Sequence, residues 1–265
     1  MQPTIVRVRL TISGPDADHI EERGFMRIAI LSDIHANLLF AEAAVRRARH
    51  FGCDRIIHLG DAVDLGPWPS ETLDFMISNG IEMLRGNHDE YPVMGLTPKM
   101  ERELAPEVKQ QIKWTASQLR GDQHAYLAAL PTTLVSHVDE WKVRFQHFLL
   151  DDGRVSEKMI HKDADSLFQE FKVESGEIVC FGHIHTRIWH FAGNRGILNP
   201  GATGFTDGNG AWFAVLVIRD SSAWLEWHPV EASSDLVAAE LEERAVPGWE
   251  SSISYMFVPA DRVSA

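Results

Sequence analysis

The sequence predicts an α/β architecture, on three observations. Short apolar runs alternate with helical patterns along most of the chain, the runs have the length of strands, and each of the telling ones stops at a carboxylate, histidine or asparagine. The first run, Met26 to Leu31, reads as a buried strand entering the polar pair Ser32-Asp33. Leu38, Ala41, Val45 and Ala48 then recur at helical spacing, predicting an amphipathic helix over 38–50 that begins near Asn37. Further strands are expected at Arg55 to Leu59, Ile81 to Leu84, Lys142 to Phe145, Glu177 to Phe181 and Ala211 to Ile218. Helical patterns fill 106–130, Asp163 to Phe171 and Asp235 to Arg244. No repeat, low-complexity tract or Gly/Ser linker divides the chain, so the reading is an extension over 1–25, one domain over 26–230, and a C-terminal helix and tail over 231–265 packed on it.

Composition narrows the function. The chain has 265 residues, 45% of them hydrophobic, enough to bury a sizeable core, and a formal charge of −13 that disfavours extensive nucleic-acid binding. Arg46, Arg47 and Arg49 fall mostly on the outer side of the first helix and read as a solvated face. The opening MQPTIVRVRLTISG is broken by arginines and lacks the apolar core of a secretory signal, and the longest apolar run is too short to span a bilayer. Two cysteines, Cys53 and Cys180, cannot form a disulfide framework. These observations predict a cytoplasmic protein without membrane contact, and they leave homo-oligomerisation open.

The chemistry stands at the strand ends, in Asp33-Ile34-His35, Gly60-Asp61-Ala62-Val63-Asp64, Gly86-Asn87-His88-Asp89, His147, and Gly182-His183-Ile184-His185. Ligand sites of open α/β sheets gather at carboxyl ends of strands, so five segments can converge on one point. In extended chain, i and i+2 face one side, which pairs Asp33 with His35 and His183 with His185. Glycines 60, 86 and 182 permit sharp turns and close backbone approach. Mixed oxygen and nitrogen donors suit manganese, iron, zinc or cobalt better than calcium or a thiolate-bound metal.

In this order the segments DxH, GDxxD, GNHD, a lone His and GHxH resemble the calcineurin-like metallophosphoesterase superfamily over about residues 26–218, and DIHAN, GDAVDLGP and NPGAT are most similar to its small bacterial phosphodiesterases. The resemblance implies two mixed β-sheets packed as a sandwich flanked by helices, a four-layer αββα fold. It implies two divalent transition metal ions, manganese foremost, with Asp33, His35 and His185 at one, Asn87, His147 and His183 at the other, and Asp61 bridging. A shared hydroxide would attack a small-molecule phosphate ester, His88 would act as the catalytic acid, and Asp64 would orient His88 and keep it protonated.

His147 has a rival in His137, and the resemblance leads one to expect glycine where Phe148 follows His147. Asn37 could cap the first helix or touch substrate, with capping preferred, and Asn199 and Gly201 are expected to support the ligand geometry. Trp189, His190, Trp212, Trp224 and Trp227 read as sheet packing. The expected activity is a phosphodiesterase or phosphomonoesterase. Alternatives are a dinucleoside polyphosphate hydrolase, a Ser/Thr protein phosphatase, a repair-type nuclease, or a silent metal-binding scaffold. The phosphatase reading is weakened because Leu65 stands where those enzymes carry an arginine after GDxxD.

Overall fold

The structure is a computed structural model that describes residues 4–6, 24–156, 158, 160–207 and 210–258. The larger sheet has six strands, β1 (Thr4–Val6), β14 (Ser222–Val230), β13 (Ala211–Arg219), β2 (Met26–Leu31), β3 (Arg55–His58) and β4 (Glu82–Met83), in that spatial order. Its β14-β13-β2 portion is antiparallel, with Ala29 opposite Val215, whereas β2, β3 and β4 run parallel. The second sheet has five strands, in the order β10 (Arg187–Ala192), β11 (Arg195–Pro200), β9 (Glu177–Cys180), β6 (Trp141–Gln146) and β5 (Thr133–Val138). Two small ribbons complete the strands: β7 (Leu150–Asp151) with β8 (Arg154–Val155), and β12 (Thr206–Asp207) with β15 (Phe257–Val258).

Alternation along the strands builds the layers. On β2, Ile28 and Ile30 face the second sheet and pack with Val143, Phe145 and Leu198, while Ala29 and Leu31 face the helices. The helix layer on that side contains α1 (Leu38–His50), α2 (Pro69–Ser78) and α8 (Ser234–Glu243), which bury Phe40, Ala44, Leu73 and Leu241. Across the molecule, α7 (Ala164–Glu170) lays Leu167 and Phe168 against Phe181 and Ile197 on the outer face of the second sheet. The result is the four-layer αββα sandwich expected from the sequence. Between β4 and β5 the chain forms α3 (Asn87–Met94), α4 (Pro98–Glu103), α5 (Pro106–Gln118) and α6 (Gly121–Ala129); α9 (Trp249–Met256) ends the helices.

The predicted strands lie within a residue or two of their observed bounds, and α1 covers 38–50 as expected. One local expectation is corrected. Asn37 occupies the N-cap position of α1 but its side chain makes no capping bond. Its Nδ2 instead donates to Gly204 O at 2.9 Å, tying the first strand's loop to a loop nearly 170 residues away, a long-range contact that local propensity cannot foresee. Within the predicted extension, residues 4–6 form β1 on β14, and residues 1–3 and 7–23 lie outside the described residues. Arg46 and Arg49 are exposed, as expected of a solvated face, whereas Arg47 is half-buried over the Phe51 ring. No helix among the described residues is long and apolar enough to cross a membrane.

Candidate metal centre

The carboxyl ends of β2, β3, β6 and β9 deliver their following residues to one buried spot between the sheets, helped there by the start of α3. The backbone must bend hard to do this. Asp33, His35, Asp61, His183 and His185 all have positive φ, between 49° and 70°, a conformation that costs a non-glycine residue on the order of 1–3 kcal/mol. Two glycines leave the room: a Cβ on Gly86 would lie 2.0 Å from Asp61 Oδ1, and one on Gly182 would lie 2.1 Å from Ser32 Oγ.

Two groups of donor atoms result. In the first, His185 Nε2 lies 3.2 Å from Asp33 Oδ1 and 3.4 Å from His35 Nε2, and His35 Nε2 lies 3.7 Å from Asp61 Oδ2. In the second, His147 Nε2 lies 3.1 Å from both Asp61 Oδ2 and Asn87 Oδ1, and His183 Nδ1 lies 3.0 Å from Asn87 Oδ1. Asp61 Oδ2 faces both groups. Its other oxygen is occupied, because Asp61 Oδ1 accepts the His88 backbone N–H at 2.9 Å. Donors bonded at about 2.0–2.2 Å to one ion stand roughly 3–4 Å apart, depending on the angle between them, so both sets fit a cation of the size and nitrogen/oxygen preference expected. Asp33-His35-His185 and Asp61-His147-His183 each hold three donor atoms close enough to share an ion, and His35-Asp61-His88 forms a third such group.

The electrostatics fit the same cations. Asp33, His35 and His147 are fully buried and Asp61 is 1% exposed. Burial alone would raise the Asp61 carboxyl, but the surrounding imidazoles, His147 above all, hold it well below the usual range. Burial opposes a charge on His147, yet Asp61, Asp33 and Asp89 outweigh it and push its pKa up to about 9. Burial, reinforced by His147, lowers His183 to about 4. A lone proton on His147 thus does in part what a metal ion would do fully for this group of carboxylates and imidazoles.

His88 stands at the rim, with Asp64 buried behind it. His88 Nδ1 is 2.7 Å from Asp64 Oδ2, and Thr115 of α5 donates to Asp64 Oδ1 at 2.9 Å. The His88 ring meets His35 edge-on at 4.9 Å and remains partly exposed. His147 sits inside the cluster, whereas His137 lies exposed on the edge strand β5. Phe148, where glycine was expected, is buried and stacks on His183 at 4.3 Å. Asn199 Nδ2 donates to Gly182 O at 2.6 Å and its Oδ1 accepts from Gly201 N at 2.9 Å, so NPGAT braces the loop that carries His183.

Several supporting residues have roles that local sequence pattern does not reveal. Asp89 accepts the backbone N–H of Asp61, Ala62, Val63 and Gly86 at 2.8–3.1 Å, clamping the GDxxD loop to α3. Burial and the Asp61 charge push its pKa up to about 7. Tyr91 Oη accepts from Asn87 Nδ2 at 2.7 Å, which turns Asn87 Oδ1 towards the histidines. Glu90, buried, accepts from Arg85 and Arg154 and fastens the β7–β8 ribbon to α3. The fourth residue of GNHD was visible as a motif member, and its carboxylate at the helix start was the available clue.

Comparison with known proteins agrees with this geometry. The calcineurin-like phosphoesterase superfamily domain matches residues 26–221. A metallophosphoesterase from Sphaerobacter thermophilus is similar in structure, with a TM-score of 0.67 and 26% identity, covering 88% of this chain and 98% of that one. A hypothetical protein from Pyrococcus horikoshii shares the fold at a TM-score of 0.73 and 16% identity, over 87% and 97% of the two chains. An uncharacterised protein of Methanocaldococcus jannaschii is 24% identical over 192 residues, 67% of this chain and 76% of its own. The chain belongs to the calcineurin-like phosphoesterase superfamily.

Proposed function

We propose that this member of the superfamily is a dinuclear metal-dependent hydrolase of small-molecule phosphodiesters or phosphomonoesters. The observation that carries the reading is Asp61 Oδ2 facing two separate sets of ligand atoms. Asp33, His35 and His185 would hold one ion, Asn87, His147 and His183 the other, and Asp61 both. Two divalent ions, when bound, withdraw charge from a phosphoryl group and bring water to its nucleophilic form near neutral pH. Manganese is the first choice because the family resemblance implies it; the mixed oxygen and nitrogen donors suit iron, zinc or cobalt as well.

The chain's own part in the reaction follows from the rim. Asp64 occupies His88 Nδ1, which leaves Nε2 as the atom that can carry a proton to the leaving oxygen. A carboxylate at Nδ1 favours the protonated ring, the form a general acid needs before the bond breaks. The protein phosphatase reading is disfavoured because Leu65 packs with Met256 and Phe205 where a guanidinium would be required. The free thiols of Cys53 and Cys180 suit a reducing, cytoplasmic setting.

The test is to strip the purified protein with chelator, reload it with manganese, iron, zinc or cobalt, and measure metal content and hydrolysis of bis(p-nitrophenyl) phosphate and p-nitrophenyl phosphate. Two ions per chain with metal-dependent hydrolysis is the expected result. Two ions with no hydrolysis of any ester would favour a binding scaffold, and no retained ion would reject the dinuclear centre.

A further inference from the structure

The outward nitrogens of the candidate ligands are not equally supported. His35 Nδ1 and His147 Nδ1 are buried and have no hydrogen-bond partner. His185 differs: its Nε2 is turned to Asp33 and His35, while its Nδ1 lies 3.4 Å from Tyr255 Oη. Tyr255 comes from α9, seventy residues further along the chain. The helix is held there by three devices. Met256, fully buried, packs with Phe205 and Ala202, and β15 pairs in parallel with β12, Thr206 opposite Phe257. Ser252 adds a bond from Gln111 Nε2 at 2.7 Å, which fixes α9 to α5. Phe205 completes a clamp, stacking on His35 at 4.8 Å and meeting His185 and Tyr255 edge-on at 4.7 and 5.4 Å.

We propose that Tyr255 is a positioning residue of the metal centre, its phenol oxygen accepting the His185 Nδ1–H and so fixing His185 Nε2 on the ion shared with Asp33 and His35. The assignment rests on the dinuclear reading above. An imidazole that binds metal through Nε2 must carry its proton on Nδ1, and an acceptor there both selects that tautomer and holds the ring plane. Because Tyr255 touches the first group alone, its loss should weaken one ion and spare the other. The C-terminal segment thereby becomes part of the site.

Isothermal titration of the chelator-stripped full chain with manganese alone provides the test, run on wild type, Tyr255→Phe and Tyr255→Ala. Wild type should show two sites. Tyr255→Phe should weaken one of them by on the order of 10–100-fold, the usual effect of losing such an outer partner, with the second site unchanged. Its metal-free melting temperature should match wild type, since Tyr255 is 57% exposed and phenylalanine keeps its packing. If Tyr255→Phe binds both ions like wild type while Tyr255→Ala weakens one, packing alone matters and the hydrogen-bond assignment is overturned. Equal binding by all three overturns any positioning role. Wild type that binds no manganese would instead defeat the dinuclear reading, and this assignment with it.

Discussion

The two ends of strand β2 handle charge in opposite ways. At its start, Arg27 donates to Glu226 through both terminal nitrogens at 3.3 and 2.5 Å, and its backbone N–H meets Asp54 at 2.7 Å. Six residues on, roughly 20 Å along an extended strand, Asp33 is buried with imidazoles and another carboxylate around it. At the first end the Arg27 charge is answered by the Glu226 carboxylate of the chain itself, and Asp54 accepts a backbone N–H. The second end gathers carboxylates and imidazoles in a bent backbone, where a charged His147 answers them in part and the donor atoms lie grouped as one cation would need them. Positive φ at Asp33, His35, Ala36, Asp61, Asp64, Leu65, His183 and His185 marks where the fold sustains strain for that arrangement. A closed ion pair at a sheet end speaks of stability, and an open cluster of donors speaks of a ligand.

The sharpest way to break this comparison is to neutralise a carboxylate at each end. Asp61→Asn should lose more metal than any other single ligand change and, with several kcal/mol of transition-state stabilisation removed, lower hydrolysis by on the order of 10³ or more. Glu226→Gln at the far end should leave metal content and rate unchanged. Elemental analysis and initial rates decide it. If Asp61→Asn keeps both ions, the shared-ligand assignment falls.

His88→Ala separates metal holding from proton transfer within the open end. Turnover should fall by on the order of 10²–10⁴ with metal content intact, and the loss should be greatest for alkyl or nucleoside esters, whose leaving groups need a proton, and least for esters of acidic phenols. Asp64→Asn should follow the same pattern more mildly. Because His88 also stands in a group with His35 and Asp61 that could share an ion, loss of metal from His88→Ala would move it from acid to ligand.

Sequence reading singled out the candidate donors that the structure brings together because each follows an apolar run and two of the motifs place donors two residues apart. Beyond Asp64, Asn199 and Gly201, it did not reach what holds them. Asp89 clamps a loop 26–28 residues away, Thr115 lies 51 residues from Asp64, and Tyr255 lies 70 from His185. Such contacts depend on how the helices α3, α5 and α9 pack, which no local pattern encodes. Asn37 shows the same limit: at the N-cap, propensity favours a local bond, and a carbonyl brought in by tertiary packing takes its place. Phe148 was visible as a departure from the family pattern, and the stack on His183 is the physical content of that departure.

The pH response of metal binding sharpens the contrast further. Without metal, His147 is held protonated to about pH 9 by Asp61, Asp33 and Asp89 against the effect of burial. A ligand nitrogen must lose that proton, so manganese affinity should rise with pH, by up to about tenfold per unit below pH 9, with proton release on binding. Titration calorimetry in buffers of different ionisation heat measures the released proton. His147→Ala should weaken one ion and remove this pH dependence, whereas the exposed His137→Ala should do neither. The reverse result would transfer the ligand role to His137.

The smallest expected effect belongs to the closed end, and there the sign is opposite. Burial alone would raise the Glu226 carboxyl, but hydrogen bonds from His228 and Arg27 outweigh it and lower its pKa from 4.5 to about 2. A carboxylate whose folded value is depressed stabilises the protein above its unfolded pKa, and that stability is lost as pH falls through the window from about 4.5 to about 2. Wild type should therefore melt a few degrees above Glu226→Gln near pH 6, the scale of about 1 kcal/mol for a chain of this size, and the gap should close as the pH is lowered through that window. The gap near pH 6 should be the same in chelator-treated and manganese-loaded protein, because Arg27 supplies the counter-charge that a metal ion would supply at the other end of the strand. A gap that appears only with metal present would show the two ends to be coupled and would break the comparison.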